Sequence, residues 1–150
     1  MTKKIILNSI KLDDKNIFLS MADVYFKDLD VNFKMNREFE SSFLENIILD
    51  KDVFIDFVHL DNEKIGFVKY SLEKHFYKNT LSGKILDFWI EKKYRRLGYG
   101  LECIKILHSF FKKNKVSKVK IEIMKNNYHA KLFWNKIGYA VQSSSHEIKL

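Results

Sequence analysis

The chain has one cysteine, no proline and five glycines in 150 residues, and no long apolar run. A single cysteine, Cys103, excludes an internal disulfide framework and fits a reducing compartment. The missing proline goes with an abundance of Lys, Asn and Ile, a codon-level bias without functional content. No apolar run reaches the roughly 18 residues that a membrane-spanning helix needs, so no membrane partner is expected. The start, MTKKIILNSIKLDD, has no apolar h-region before its charges resume. It reads as lacking a secretory signal, and the expected location is cytoplasmic. The five histidines show no metal-ligand spacing, and no metal site is expected.

What is present is enough for a substantial core. Hydrophobic residues make up 46% of the chain and 13 residues are Phe, which suits one domain spanning 1–150. No linker or internal repeat divides it. The net charge of +8 is unevenly placed. Residues 1–83 carry 12 Lys/Arg against 14 Asp/Glu, whereas residues 84–120 carry 11 against 3. A basic half favours an anionic partner: a phosphorylated cofactor, a membrane surface or nucleic acid. The lysines around Phe110–Lys120 match no nucleic-acid reader motif, so nucleic acid is the disfavoured partner.

Hydrophobic periodicity divides the chain into elements. Lys4–Ile10 reads as a strand. Asp13 and Asp14 offer an N-cap for a helix through Ile17, Met21 and Val24–Tyr25. Phe39, Phe43, Ile47 and Ile48 predict a helix over Asn36–Leu49, after an irregular segment 27–35 that suits substrate contacts. Val53–Leu60 and Lys64–Leu72 form a hairpin around Asp61-Asn62-Glu63. Glu73–Gly83 reads as irregular, and Ile85–Ile90 as a buried strand. A helix runs from about Gly98 to Asn114, with Cys103 on its apolar side as a small core residue. Val119–Met124 alternates as a strand. Ala130, Phe133–Trp134 and Ile137 mark a helix ending at Gly138. Tyr139–Gln142 and His146–Leu150 are predicted as final strands, giving the order β-α-α-β-β-β-α-β-α-β-β.

Between the buried strand and the amphipathic helix lies YRRLGYG, Tyr94–Gly100. Glycines let backbone approach a ligand without a Cβ in the way. A helix N-terminus adds unpaired N–H groups and the positive end of the dipole. Arginines add donors suited to phosphate oxygens. Together these read as an anion cradle, against the alternative of a plain exposed turn. The dinucleotide fingerprint fails, because Cys103 stands where G-x-G-x-x-G needs its last glycine, and no Walker A Gly-Lys-Ser/Thr follows.

A second segment, IEIMKNNYHAKLFWNKIGYA, decides between the two. Arg95-Arg96-Leu97-Gly98-Tyr99-Gly100 fits the pattern [QR]-x-x-G-x-[GA]. Asn127-Tyr128-His129-Ala130, Phe133-Trp134 and Gly138-Tyr139 fit N-x-x-A-x-x-[LF]-Y-x-x-x-G-[FY], except that Trp134 replaces the tyrosine. Together they resemble the GNAT superfamily, the Gcn5-related N-acetyltransferases. The motifs cover about residues 84–140, and the element order extends the likeness over the chain. The resemblance implies an α+β fold, a central, mostly antiparallel mixed sheet flanked by about four helices.

It also implies acetyl-CoA as cofactor and transfer of its acetyl group to an amine. The pantetheine would lie along Phe88, Trp89 and Ile90. The diphosphate would sit at Arg95, Arg96, Leu97, Gly98, Tyr99, Gly100 and Leu101, chiefly on backbone N–H groups from Arg96 onward. Asn127 matches the family's cofactor-contacting asparagine, and Trp134 stands at its thiolate-protonating tyrosine. An alkylammonium has a pKa of roughly 10, so a base is needed. Glu122 on VKIEIM is the first candidate and Asp87 on ILDFWI the second, directly or through a water; alternation does not settle which face Asp87 takes. Trp134 has a donor N–H but is no general acid near neutral pH. Tyr128, Tyr139 or Tyr94 remain as substitutes, or the thiolate leaves unassisted. The acceptor is a small-molecule or peptide amine, a homodimer is compatible with the sequence, and a catalytically weak CoA- or acyl-CoA-binding module is the alternative.

Overall fold

The structure, a computed structural model, describes residues 2–75 and 77–150; for residues 43–48 it describes the backbone only. The elements are β1 (Ile5–Ser9), α1 (Lys15–Leu29), α2 (Arg37–Leu49), β2 (Val53–Leu60), β3 (Glu63–Lys74), β4 (Leu81–Ile90), α3 (Tyr99–Lys113), β5 (Val116–Ile121) and α4 (Tyr128–Ile137). Five strands form one sheet in the order β1-β2-β3-β4-β5. All neighbours are antiparallel except β4 and β5. That parallel pair is joined through α3, as a crossover requires. This is the mixed α+β architecture expected.

Strand alternation sorts the core into two layers. On one face Val58, Val68, Tyr70, Ile85 and Ile90 pack with Cys103, Ile104, Leu107 and Phe111 of α3 and Trp134 of α4. On the other, Ile55, Phe57, Phe67 and Trp89 pack with Phe18, Leu19 and Ala22 of α1. Cys103 is fully buried, and burial pushes its thiol up, away from the reactive thiolate. Asn36 caps α2, its Oδ1 accepting from Phe39 N–H at 2.7 Å. The side chains of Phe43, Ile47 and Ile48, whose spacing predicts α2, lie outside the described residues.

Three expectations change. Glu73–Gly83 is not wholly irregular: β3 runs to Lys74 and β4 starts at Leu81, with those two residues in register. Long-range pairing overrides the polar composition there. β5 spans Val116–Ile121 and stops before Glu122. The two final strands do not form; residues 139–150 carry no strand. Their apolar members, Val141, Ile148 and Leu150, are exposed. A strand needs a partner ladder and a covered face, and the SSS segment separates two arms too short in apolar residues to cover one.

Among the described residues Asp56 is the one buried acid, 6% exposed, beside the helix-α3 core. It accepts from Tyr70 Oη at 2.7 Å. Burial raises its carboxyl above the usual range, although the Tyr70 and Ser9 bonds oppose this. A raised folded value stabilises below the unfolded value, and that contribution is lost as pH rises through the folded value. Asp56→Asn keeps an oxygen for Tyr70 and removes the buried charge. It is expected to raise stability near neutral pH by on the order of 1 kcal/mol, with the advantage disappearing toward pH 4. Urea denaturation of both proteins across pH checks this; a variant destabilised equally at all pH values would contradict it.

Candidate active site

The site follows from a mismatch in strand length. β4 pairs with β5 only through Leu81–Ile85, the last pair being Ile85 with Ile121. β4 itself continues to Ile90, paired on its other side with β3. Alternate backbone groups of a strand point away from each neighbour. Leu86–Ile90 therefore present N–H and C=O groups on the β5 side without a ladder partner. This places Phe88, Trp89 and Ile90 on an open edge leading to YRRLGYG.

In that loop Arg96 has φ 65° and Gly98 φ 88°. Left-handed conformations, which cost a non-glycine residue roughly 1–2 kcal/mol, turn the chain sharply between β4 and α3. Gly98 is the N-cap of α3 and no side chain caps the helix; the first helical bond runs from Glu102 N–H to Gly98 C=O at 3.2 Å. The N–H groups of Tyr99, Gly100 and Leu101 precede it and lack intrahelical acceptors.

The two glycines have different reasons. A Cβ on Gly98 would meet no protein atom within 4 Å, so its φ is what requires glycine. A Cβ on Gly100 would stand 3.2 Å from the Phe133 ring and 3.8 Å from Ile90 Cδ1. Gly100 thus lets α4 pack against α3 and β4, beyond the ligand-approach reason its position suggests. Arg95 also acts locally: its Nε–H donates to Ile90 C=O at 2.6 Å, and Nη2 lies 3.9 Å from Asp28 of α1. Its guanidinium ties the end of β4 to α1, whereas Arg96 and Leu97 are exposed beside the start of α3.

The two candidate bases stand in different settings. The β3–β4 register shifts between Lys69 and Tyr70, which pair with Asp87 and Ile85. Leu86 is the extra residue of a β-bulge, and a bulge flips the alternation beyond it. Ile85 points to the α3 side while Asp87 turns to the α1 side, where Tyr25 Oη–H donates to Asp87 Oδ1 at 2.8 Å. Glu122 lies past the end of β5, 85% exposed, with Lys84 Nζ 3.1 Å from Oε1. Trp89 is on the Asp87 face, and its Nε1 is buried without a hydrogen-bond partner.

Asn127 caps α4, its Oδ1 accepting from Ala130 N–H at 3.1 Å; the side-chain NH2 is what it has left for a ligand. Trp134 is 7% exposed, packed edge-on against Phe88, Phe133 and Tyr139. Tyr139 Oη is 2.7 Å from His108 Nε2, and burial pushes its phenol up to about 12. Tyr94 Oη donates to Glu63. Tyr128 is exposed. Sequence reasoning missed Tyr25, for which only its place on the apolar side of α1 was a signal.

An open strand edge leading into an uncapped helix N-terminus defines a site for an extended ligand with an anionic end. The acetyltransferase (GNAT) family model matches residues 19–139, and the chain belongs to that family. Solved structures agree on the fold. A ribosomal-protein-alanine N-acetyltransferase from Brucella melitensis biovar Abortus 2308 superposes with TM-score 0.75 at 16% identity, covering 98% of this chain and 100% of that one. An aminoglycoside acetyltransferase, meta-AAC0020, from an uncultured soil metagenomic sample and in complex with sisomicin, gives 0.77 at 16% identity, covering 97% and 95%. A GNAT family acetyltransferase from Staphylococcus aureus subsp. aureus USA300_TCH1516 gives 0.74 at 21% identity, covering 97% and 98%. No curated protein matches the sequence.

The glycine assignment is testable by coupling. Gly100→Val should cost about 1–3 kcal/mol through overpacking against Phe133, and much less in a Phe133→Ala background. Gly98→Val should cost about 1–2 kcal/mol through its backbone angle, unchanged by Phe133→Ala. Chemical denaturation of the single and double variants reads both couplings. Equal coupling at the two glycines would refute the distinction.

Proposed function

We propose that this chain is an acetyl-CoA-dependent N-acetyltransferase, moving the acetyl group from the thioester to a primary amine by direct attack in a ternary complex. The observation that carries the reading is the unpaired β4 edge running into the left-handed loop and uncapped start of α3. Bound acetyl-CoA supplies an acyl group already activated as a thioester. The outward backbone groups of Phe88 and the N–H of Ile90 would offer sheet-like bonds to its pantetheine, with Trp89 between them turned to β3 and the Ile90 C=O held by Arg95, and a N–H from this stretch would polarise the carbonyl. The N–H groups from Arg96 to Leu101 receive the diphosphate, and the Asn127 NH2 faces the cofactor.

Asp87 is the base we place first. The bulge at Leu86 turns it to the α1 side, and Tyr25 fixes its carboxylate. Glu122 is second, since solvent and Lys84 surround it. The acceptor is a small-molecule or peptide amine; among proteins of this fold, one is named for ribosomal-protein alanine and one was solved with sisomicin. Protonation of the leaving thiolate has no obvious donor: the Trp134 indole has no acidic proton, and its neighbour Tyr139 is engaged by His108. A thiol pKa of about 8.5 makes the thiolate a tolerable leaving group. The same observation favours a second reading, a slow or silent acyl-CoA-binding module.

Acetyl-CoA at millimolar concentration should raise the melting temperature, and a panel of amines should release free thiol. Asp87→Asn should lower kcat by roughly 10²-fold with acetyl-CoA affinity unchanged by calorimetry, and Glu122→Gln should change kcat by less than about threefold, as an exposed, solvated carboxylate outside the reaction would. Absence of stabilisation by either acetyl-CoA or CoA would remove both readings. Binding without thiol release from any amine would select the module, and a larger loss from Glu122→Gln would reverse the ranking of the acids.

A further inference from the structure

We propose that Tyr25 is a positioning residue whose hydroxyl holds the Asp87 carboxylate aimed at the acceptor amine. This deepens the reading of Asp87 as the base and rests on it. The hydroxyl comes from a different element, α1, 62 residues away in sequence, and its bond to Asp87 Oδ1 is 2.8 Å and partly buried. A base must first be within reach of the proton it takes and turned toward it, and the bond to Oδ1 fixes the rotation of the carboxylate. It also leaves Oδ2 for the amine or for a bridging water.

Tyr25 is held in its turn. Its ring packs edge-on against Phe67 at 5.5 Å and Phe26 at 4.9 Å between centroids, so the hydroxyl has little freedom to leave Asp87. Burial, then the Asp87 charge and the hydrogen bond, raise the phenol well above its ordinary value. Tyr25 therefore stays a donor throughout the working pH range and does not itself exchange the proton. Its role is through Asp87, not on the substrate.

Among the described residues, the charged groups around Asp87 are few. Lys69 stands directly across on β3. Lys84, on the same face of β4, pairs with Glu122 beyond β5. Asp28 on α1 lies by Arg95 from the loop after β4. Tyr25→Phe leaves these groups in place. The substitution keeps the aromatic ring, and with it the packing against Phe26 and Phe67.

The test uses the full chain. The carbon-13 resonance of the Asp87 carboxyl, assigned by its loss in Asp87→Asn, is compared in wild type and in Tyr25→Phe. In parallel, kcat and KM are measured for an amine found by thiol release. In Tyr25→Phe the resonance should move with the loss of its donor, kcat should fall roughly tenfold as the base loses its aim, and KM for acetyl-CoA should stay unaltered. A resonance at the same position in the two proteins would overturn the proposal, whatever the activity. A moved resonance with unchanged kcat, or with KM for acetyl-CoA raised in step, would overturn the catalytic part. A moved resonance with no turnover in wild type would uphold the Tyr25–Asp87 coupling and count against the transferase reading.

Discussion

Two neighbouring strands of unequal reach govern this molecule. β5 leaves the sheet after Ile121, opposite Ile85, while β4 continues five residues to Ile90. The freed backbone groups carry a standing cost unless water or a ligand satisfies them, and exposed edges are normally blunted or covered. Here the edge is continuous with a loop that turns through left-handed conformations at Arg96 and Gly98. The helix that follows is the same crossover that makes β4 and β5 parallel. Topology therefore delivers the positive end of α3 to the end of the open edge, and the two halves of a long ligand's site come from one connection.

The second device is the bulge at Leu86. It lets β4 serve the α3 core with Ile85 and then, two residues later, offer a carboxylate to the α1 side. Without it, Asp87 would share a face with Ile85, among Cys103, Ile104 and Phe111. An unpaired charge there would cost several kcal/mol. Asp56, the one buried acid among the described residues, is tolerated on that face with Tyr70 and Ser9 as partners. The bulge separates a dry layer from a chemical one across a single sheet.

What the sequence made legible was local. The strand–turn–helix passage at YRRLGYG, the helical spacing of α3 and the glycine ending α4 depend on residues within one turn of each other. What it hid was long-range. The face of Asp87 is a property of the β3–β4 register, and no alternation within ILDFWI records it. Gly100 answers to Phe133, and Arg95 to Ile90 C=O and Asp28; each partner is set by packing between elements. The polar Glu73–Gly83 segment enters the sheet because Lys74 and Leu81 face each other in a central hairpin. Tyr139–Leu150 alternates well enough to suggest strands, yet beyond Tyr139 its apolar members Val141, Ile148 and Leu150 stay exposed. Trp134 was legible from its place on the apolar face with Ala130 and Ile137, but its partners Phe88 and Tyr139, on other segments, were not.

Amide hydrogen exchange with and without saturating acetyl-CoA tests the central claim most directly, because the open edge is made of backbone groups. The expected result is new protection confined to outward-facing amides within Leu86–Ile90 and to Arg96–Leu101, with the inward amides of β4 already slow through pairing with β3. Protection at the loop without protection on the strand, or no change at either, would contradict the role assigned to the unpaired edge of β4.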